Sequence, residues 1–111
     1  MKTAHIHLSL SNLPAAIDWM KSTLDMNPTY QNPGMAVFAF ENVTYVFDAS
    51  DTDSAVTIAI DSDDCEKSTT EVRDRGARIL EEPQAQPWGV KTAYFAGPGQ
   101  ITFEFEESLR V

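Results

Sequence analysis

The chain has 111 residues, of which 42% are hydrophobic and 23% charged, and its formal net charge is −9 at pH 7. This length fits one globular domain, and the excess of carboxylates disfavours nucleic acid or an anionic membrane as a partner while it favours a small cation or a metal ion. One cysteine excludes an intrachain disulfide, and with no signal-peptide pattern and no apolar run near the ~20 residues that span a bilayer, we expect a cytoplasmic protein.

The first half of the chain predicts a strand, a helix and three further strands. Residues 5–10 alternate apolar and polar side chains, which is the pattern of a half-buried strand. Ser11 or Asn12 then caps a helix, whose apolar stripe consists of Leu13, Ile17, Met20 and Leu24. Three strands are predicted to follow, near residues 29–31, 35–40 and 42–48.

The second half repeats this order. Residues 55–60 alternate in the same way, acidic residues at 61–64 cap a second helix, and Gly76 ends it. Strands are predicted near 77–80, 90–96 and 100–106, and the stretch 81–89, with its two prolines, is predicted to be a loop. Residues 42–48 are identical or similar to residues 100–106 at every position except Val46 against Glu104. The chain is therefore predicted to be α+β, with two βαβββ repeats over about 3–50 and 54–108.

One face of each predicted sheet covers its helix, and the other is left for a ligand or a partner. The second face carries the polar positions of the flanking strands, namely His5, His7, Ser9, Thr44, Val46, Asp48, Thr57, Thr102, Glu104 and Glu106. Among the aromatic residues, Phe38 and Phe40 share a face and are expected to line a cleft. Trp88, between two prolines, and Tyr94 are further candidates for ligand contact.

Three stretches carry a family resemblance. Residues 5–13 read His-Ile-His-Leu-Ser-Leu-Ser-Asn-Leu, residues 87–95 read Pro-Trp-Gly-Val-Lys-Thr-Ala-Tyr-Phe, and residues 97–104 read Gly-Pro-Gly-Gln-Ile-Thr-Phe-Glu. Together with the duplicated βαβββ order, they resemble the vicinal oxygen chelate (VOC) superfamily of glyoxalases, bleomycin-resistance proteins and extradiol dioxygenases. The resemblance implies one VOC domain over residues 1–111, with mixed sheets curled around a cleft. Gly97 stands where the family usually has Asp.

The resemblance also implies where a metal would bind. In metal-dependent members the ligand places correspond here to His5, Val46, Ala55 and Glu104. Only His5 and Glu104 can ligate through their side chains. His7 lies on the same strand face as His5 and is a candidate to complete the set, and Thr57 replaces Ala55 if the alignment shifts by one pleat. We expect no cofactor, with a divalent metal (Mn, Fe, Ni, Zn or Co) as the alternative.

Two main functions, and a third option, remain open. The first is a binding protein of the bleomycin-resistance type, which sequesters a small organic ligand, cationic or aromatic, through residues such as His5, His7, Trp88 and Tyr94. The alternative is a metal-dependent lyase, isomerase, transferase or dioxygenase with Glu104 as its catalytic carboxylate; a purely structural role is a third option. By analogy with single-domain relatives we expect a homodimer, in which His5 meets Glu104 of the partner subunit.

Overall fold

The computed structural model describes residues 1–110 and shows the βαβββ order twice. The elements of the first unit are β1 (Ile6–Leu10), α1 (Leu13–Leu24), β2 (Tyr30–Asn32), β3 (Met35–Ala39) and β4 (Thr44–Ala49). Those of the second unit are β5 (Thr57–Asp61), α2 (Cys65–Asp74), β6 (Ile79–Ala85), β7 (Val90–Ala96) and β8 (Thr102–Ser108). The chain divides into its two compact units after Ser54.

Each unit contains one four-stranded mixed sheet. The strand order is β1-β4-β3-β2 in the first unit and β5-β8-β7-β6 in the second. The first and last strands of each unit pair in parallel, and the remaining neighbours are antiparallel. The predicted α+β class and the two βαβββ repeats are therefore confirmed. Neither helix in residues 1–110 is long and apolar enough to cross a membrane.

The helices begin and end where the sequence predicts. The side chain of Asn12 accepts a hydrogen bond from the backbone N–H of Ala15 at 3.1 Å, which satisfies one free donor at the start of α1. Asp64 caps α2 in the same way, by accepting from the N–H of Lys67 at 3.0 Å. Gly76 follows α2 with φ +94°, a conformation that favours glycine.

The core of each unit lies between its helix and the covered face of its sheet. The buried apolar side chains of the first unit include Leu8, Leu10, Ile17, Met20, Phe38 and Phe47. Those of the second unit include Ile58, Cys65, Val72, Phe95, Phe103 and Phe105. Two of the rings in the second unit, Phe95 and Phe103, stack with centroids 5.5 Å apart.

The predicted loop over residues 81–89 is wrong for its first half, because β6 continues to Ala85. Pro83 lies within this strand, which its edge position permits, since an edge strand has one row of N–H groups that no neighbour needs. The pairing with β7 shifts register twice along β6. The remaining residues form a hairpin turn, in which the N–H of Gly89 donates to the carbonyl of Gln86 at 3.2 Å and Gly89 has φ +89°.

Phe38 does not lie on the face that the sequence suggested. Phe38 pairs in register with Tyr45, so its ring points to the helix side, where it is fully buried against Phe47. Phe40 is half-buried, and its ring lies edge to face with that of Tyr45, with centroids 5.4 Å apart. The prediction that Phe38 lines a ligand cleft is therefore wrong, because cross-strand register decides the side and the sequence of one strand does not reveal it. For Phe40 it stays a prediction.

The glycine at position 97 has a structural cause. A Cβ at this residue would lie 2.7 and 2.8 Å from two carbons of the Phe103 ring and 3.0 Å from the carbonyl oxygen of Ile101. Since Phe103 is fully buried, its ring has no free space into which it can move. An aspartate, as is usual in the VOC family at this position, does not fit here without repacking the core.

Candidate functional site

The face of the first sheet that points away from α1 brings two histidines together. His7 pairs in register with Val46 and then Val37, so these side chains form one row across the sheet. The rings of His5 and His7 lie edge to face, with centroids 4.8 Å apart. His7 Nδ1 lies 2.6 Å from Asp48 Oδ2, which orients the ring. The two side chains are 55% and 39% exposed, so this contact is worth at most about 1 kcal/mol.

The free face of the second sheet is acidic. One row across it consists of Ala59, Glu104, Tyr94 and Glu81, and the next row consists of Asp61, Glu106, Thr92 and Gln84. Residues in register share a face of the sheet, so the four carboxylates in these rows lie on one side. The opposite side of this sheet packs against α2.

Glu104 is the half-buried carboxylate of that face. Burial raises its pKa above the ordinary value of 4.5, and the neighbouring charge of Glu106 raises it further. A hydrogen bond with Tyr94 opposes these two effects and lowers the pKa. The ionised group is therefore less well stabilised than a carboxylate in water, and an added cation would relieve it.

Tyr94 lies beside Glu104, as its partner in register on the neighbouring strand. Its pKa is raised, first by burial and then by the charge of Glu104. Hydrogen bonding with Thr92, which is 2% exposed, opposes these effects and lowers the pKa of Tyr94. The Nε2 atom of Gln86 in turn donates to Oγ1 of Thr92 at 3.0 Å. Tyr94 thus lies beside Glu104 on the acidic face and on the same strand face as Thr92, which Gln86 contacts.

Trp88 lies at the tip of the hairpin and is 65% exposed. It precedes Val90, the first residue of β7, whereas Tyr94 lies four residues further along that strand. At a rise of about 3.3 Å per residue, roughly 13 Å of strand separates Val90 from Tyr94. A ligand held at Glu104 would therefore need a long body to contact the Trp88 ring.

Two basic side chains of the second unit form ion pairs on the helix side of its sheet. Lys91 Nζ lies 3.2 Å from Glu66 Oε1, and the hydrogen bond with this carboxylate raises the pKa of Lys91. Arg73, on α2, pairs with Glu82. These two cations therefore neutralise Glu66 and Glu82, which lie beside α2.

The residues present do not fit the metal site of the metal-dependent relatives. Of the four implied places, Val46 is an apolar side chain with 4% exposure, and Ala55 has no donor atom. Across residues 1–110, no group of three or more His, Cys, Asp or Glu side chains is arranged to hold a metal ion. His5 belongs to the first unit and Glu104 to the second. Their joint role stays a prediction.

The comparisons with known proteins agree with this fold. Residues 2–105 match the family model of the Glyoxalase/Bleomycin resistance protein/Dioxygenase superfamily. This chain belongs to that superfamily. The predicted VOC resemblance, which names the same superfamily, is thereby confirmed. No protein of curated function matches the sequence significantly.

Solved structures of the superfamily share its architecture at low sequence identity. A glyoxalase/bleomycin resistance protein/dioxygenase from Nocardioides is 19% identical, with a TM-score of 0.83 over 99% of this chain and 85% of that one. TioX from Micromonospora sp. ML1 is 14% identical, with a TM-score of 0.80 over 96% and 99%. A bleomycin resistance determinant encoded on the transposon Tn5 is 16% identical, with a TM-score of 0.78 over 97% and 98%. These likenesses establish the superfamily fold and leave the ligand open.

The structure brings together some of the candidate residues and separates others. Glu104 and Tyr94 are neighbours across two strands, and His5 and His7 are neighbours on one edge. The sequence did not single out Thr92 or Gln86. The two-residue spacing from Tyr94 places Thr92 on the same face of the strand, so this partner could have been found from the sequence. Gln86 could not, because its contact depends on the hairpin turn.

Proposed function

We propose that this VOC-superfamily protein sequesters a small organic ligand, cationic or aromatic, as bleomycin-resistance proteins do. The observation that carries the proposal is the half-buried carboxylate of Glu104 within an acidic sheet face. Burial and Glu106 both disfavour its charge, and a bound cation would offset that cost. The net charge of −9 would further draw a cation to the protein.

The set of available metal ligands supports binding over metal-dependent chemistry. Two protein ligands alone hold a divalent metal poorly, because stable sites use three or four. Val46 and Ala55 leave the family's ligand set with two members, His5 and Glu104. The candidate lyase, isomerase, transferase or dioxygenase activity therefore lacks the ligands on which such chemistry rests in the metal-dependent relatives.

The expected contribution of Glu104 to binding is moderate. A hydrogen bond to a charged group contributes about 1.5–3 kcal/mol, which corresponds to roughly a tenfold to hundredfold change in affinity. Replacement of Glu104 by Gln should therefore weaken the binding of a cationic ligand by this factor and leave the binding of a neutral ligand almost unaffected.

Calorimetric titration with metal-free bleomycin, which is cationic and contains an aromatic bithiazole, tests the proposal. Binding should be weakened by Glu104→Gln. It should be unchanged by Glu71→Gln, which removes the same charge from an exposed position on α2. Benzamidinium serves as a second, smaller probe. If neither probe binds, or if both variants weaken binding equally, the proposal is wrong.

Titration of the metal-stripped protein with Mn, Fe, Ni, Zn and Co tests the enzymatic alternative. The incomplete ligand set predicts only weak association, which His5→Ala should not change. Tight binding at a simple stoichiometry that is lost in His5→Ala would favour the metal-dependent alternative instead.

A further inference from the structure

A groove of about 400 Å³ lies between α1 and the edge strand β2 of the first unit. Leu13 and Ile17 of α1 give it an apolar side, and Gln31 of β2 lines the other. Asp18 and Lys21 add one negative and one positive charge. Within residues 1–110, neither of these charged side chains belongs to an ion pair. The volume falls in the range of about 300–1,000 Å³ that is typical of small-ligand sites.

Strand β2 leaves backbone groups free at the outer edge of its sheet. The carbonyl of Val37 accepts from the N–H of Thr29 at 2.8 Å, so it points towards β2. Val37 therefore forms a hydrogen-bonded pair with Tyr30, and the next pair, Gln31 with Ala36, is of the non-hydrogen-bonded kind. It follows that the N–H and C=O of Gln31 point away from β3 and are free to pair with a further strand.

Two other sheet edges are obstructed by the chain itself. At the outer edge of β1, the N–H of Ser9 donates to Oγ of Ser54 at 2.8 Å, and the N–H of Ser54 donates to the carbonyl of Ser9 at 2.9 Å. Strand β6 contains Pro83 and two shifts of register, which disfavour regular pairing with another strand. The three residues of β2 are exposed, and none of them is proline or charged. Its edge therefore permits strand addition, a recurring mode of peptide binding.

We propose that this groove binds a short peptide with free ends and an apolar central residue, which adds as a strand beside Gln31. Residues directly opposite each other in an antiparallel pair share a face of the sheet. The Gln31 side chain lies on the α1 side, because it shares a row with the buried Ala36 and Phe47. The central side chain of the peptide therefore also lies on the α1 side, next to Leu13 and Ile17.

The two charges of the groove complement the two ends of such a peptide. Asp18 and Lys21 are three positions apart on α1, so their Cβ atoms are about 5–6 Å apart on one helix face. A tripeptide spans at most about 10 Å, and the long Lys21 side chain covers the difference. Asp18 then meets the ammonium end and Lys21 the carboxylate end. A zwitterionic peptide has no net charge, so the net charge of −9 does not repel it. The site is separate from Glu104 and does not rest on the proposed function.

The first experiment titrates the tripeptide Ala-Leu-Ala into ¹⁵N-labelled protein and follows the amide shifts. The Gln31 amide should shift most, because its N–H gains a hydrogen bond. Methylation of the leucine nitrogen removes the donor to the Gln31 carbonyl and should weaken binding about tenfold. Ala-Ser-Ala lacks the apolar side chain and should also bind about tenfold more weakly. The C-terminal amide of Ala-Leu-Ala should bind about threefold more weakly, since its contact with Lys21 is exposed.

The second experiment changes the protein. Gln31→Pro removes an N–H that β3 does not use, so the fold should persist, while peptide binding should weaken about tenfold. Gln31→Ala keeps the backbone groups and is the matched control, with unchanged binding. Lys21→Gln should abolish the preference for the free carboxylate over the amide. Lys67→Gln, which removes the same charge from an exposed position on α2, should keep that preference. If Gln31→Pro lowers the melting temperature strongly, the N-methylated peptide still tests the pairing.

Four results would overturn the assignment. The first is the absence of amide shifts at Gln31 at millimolar peptide, and the second is a set of shifts confined to the second sheet. The third is equal binding of Ala-Leu-Ala and its N-methylated form, because strand pairing would then play no part. The fourth is a lower light-scattering mass for Gln31→Pro than for Gln31→Ala, which would show that the edge pairs with a second copy of the chain.

Discussion

The contact between Gly97 and Phe103 makes a quantitative prediction about stability. In Gly97→Ala the new methyl group would lie 2.7 and 2.8 Å from ring carbons of Phe103, well inside the ~3.5 Å at which carbon atoms begin to attract each other. The ring is fully buried and stacked on Phe95, so either the ring or the strand must shift. Overpacking of this kind costs about 1–3 kcal/mol.

An opposing effect must be subtracted. Replacing glycine by alanine stiffens the unfolded chain and stabilises a protein by about 0.4–1 kcal/mol where the native conformation permits it. The net expectation for Gly97→Ala is a loss of about 1–2 kcal/mol. For a domain of this size, that corresponds to a fall in melting temperature of about 4–8 °C.

Urea and thermal unfolding measure this loss, with Gly34→Ala as the matched control. A Cβ at Gly34 would meet Asn32 Oδ1 at 3.5 Å, an ordinary contact, so this variant should be neutral or slightly stabilised. In a Phe103→Leu background the cost of Gly97→Ala should shrink, because the smaller side chain removes the overlap. Stability of Gly97→Ala equal to or above that of the wild type would refute the packing argument.

Further predictions concern charge, exposure and assembly. The pKa of Glu104 is raised above 4.5, so the folded state holds this proton more tightly than the unfolded state. Its contribution to stability is therefore full below pH 4.5 and is lost as the pH rises through the folded pKa. Denaturant unfolding across this range should show the loss in the wild type, and Glu104→Gln should abolish it. Asp48→Asn removes the exposed contact with His7 and should change the free energy of unfolding by less than about 1 kcal/mol; a larger loss would contradict the surface character of this pair. Trp88→Ala should leave stability within about 0.5 kcal/mol, and a clear drop in melting temperature would show that this exposed ring packs against the fold. Light scattering should give twice the 12.3 kDa mass of one chain, and the mass of a single chain would contradict the predicted homodimer.

The fold could be predicted because each repeat carries its own local sequence signals for the same elements. These signals are local: the alternation in residues 5–10 and 55–60, the helix caps at Asn12 and Asp64, and the glycine at position 76 that follows α2. The two repeats carry them in the same order. The topology β1-β4-β3-β2 then recurs as β5-β8-β7-β6, as a duplicated pattern requires.

The site was harder to predict, because it depends on contacts between strands. The sequence placed Tyr94 among the candidates without its facing, and the register with Glu104 decides that facing. The same kind of information moved Phe38 to the core, since its partner in register is Tyr45. Strand β6 passes through Pro83 only because it is an edge strand, and edge position follows from the sheet order rather than from local propensity.

The buried thiol of Cys65 can report conformational opening of this protein through its reaction with thiol reagents. Cys65 begins α2, is completely inaccessible, and burial raises the pKa of its thiol. A thiol reagent can therefore react only when Cys65 becomes exposed, through local opening of α2 or through unfolding. Because this is the single cysteine of the chain, the modification rate reports exposure at this one position. Measured over a range of reagent concentrations, it would give the rate at which Cys65 becomes exposed and the population of the exposed state without any engineered label.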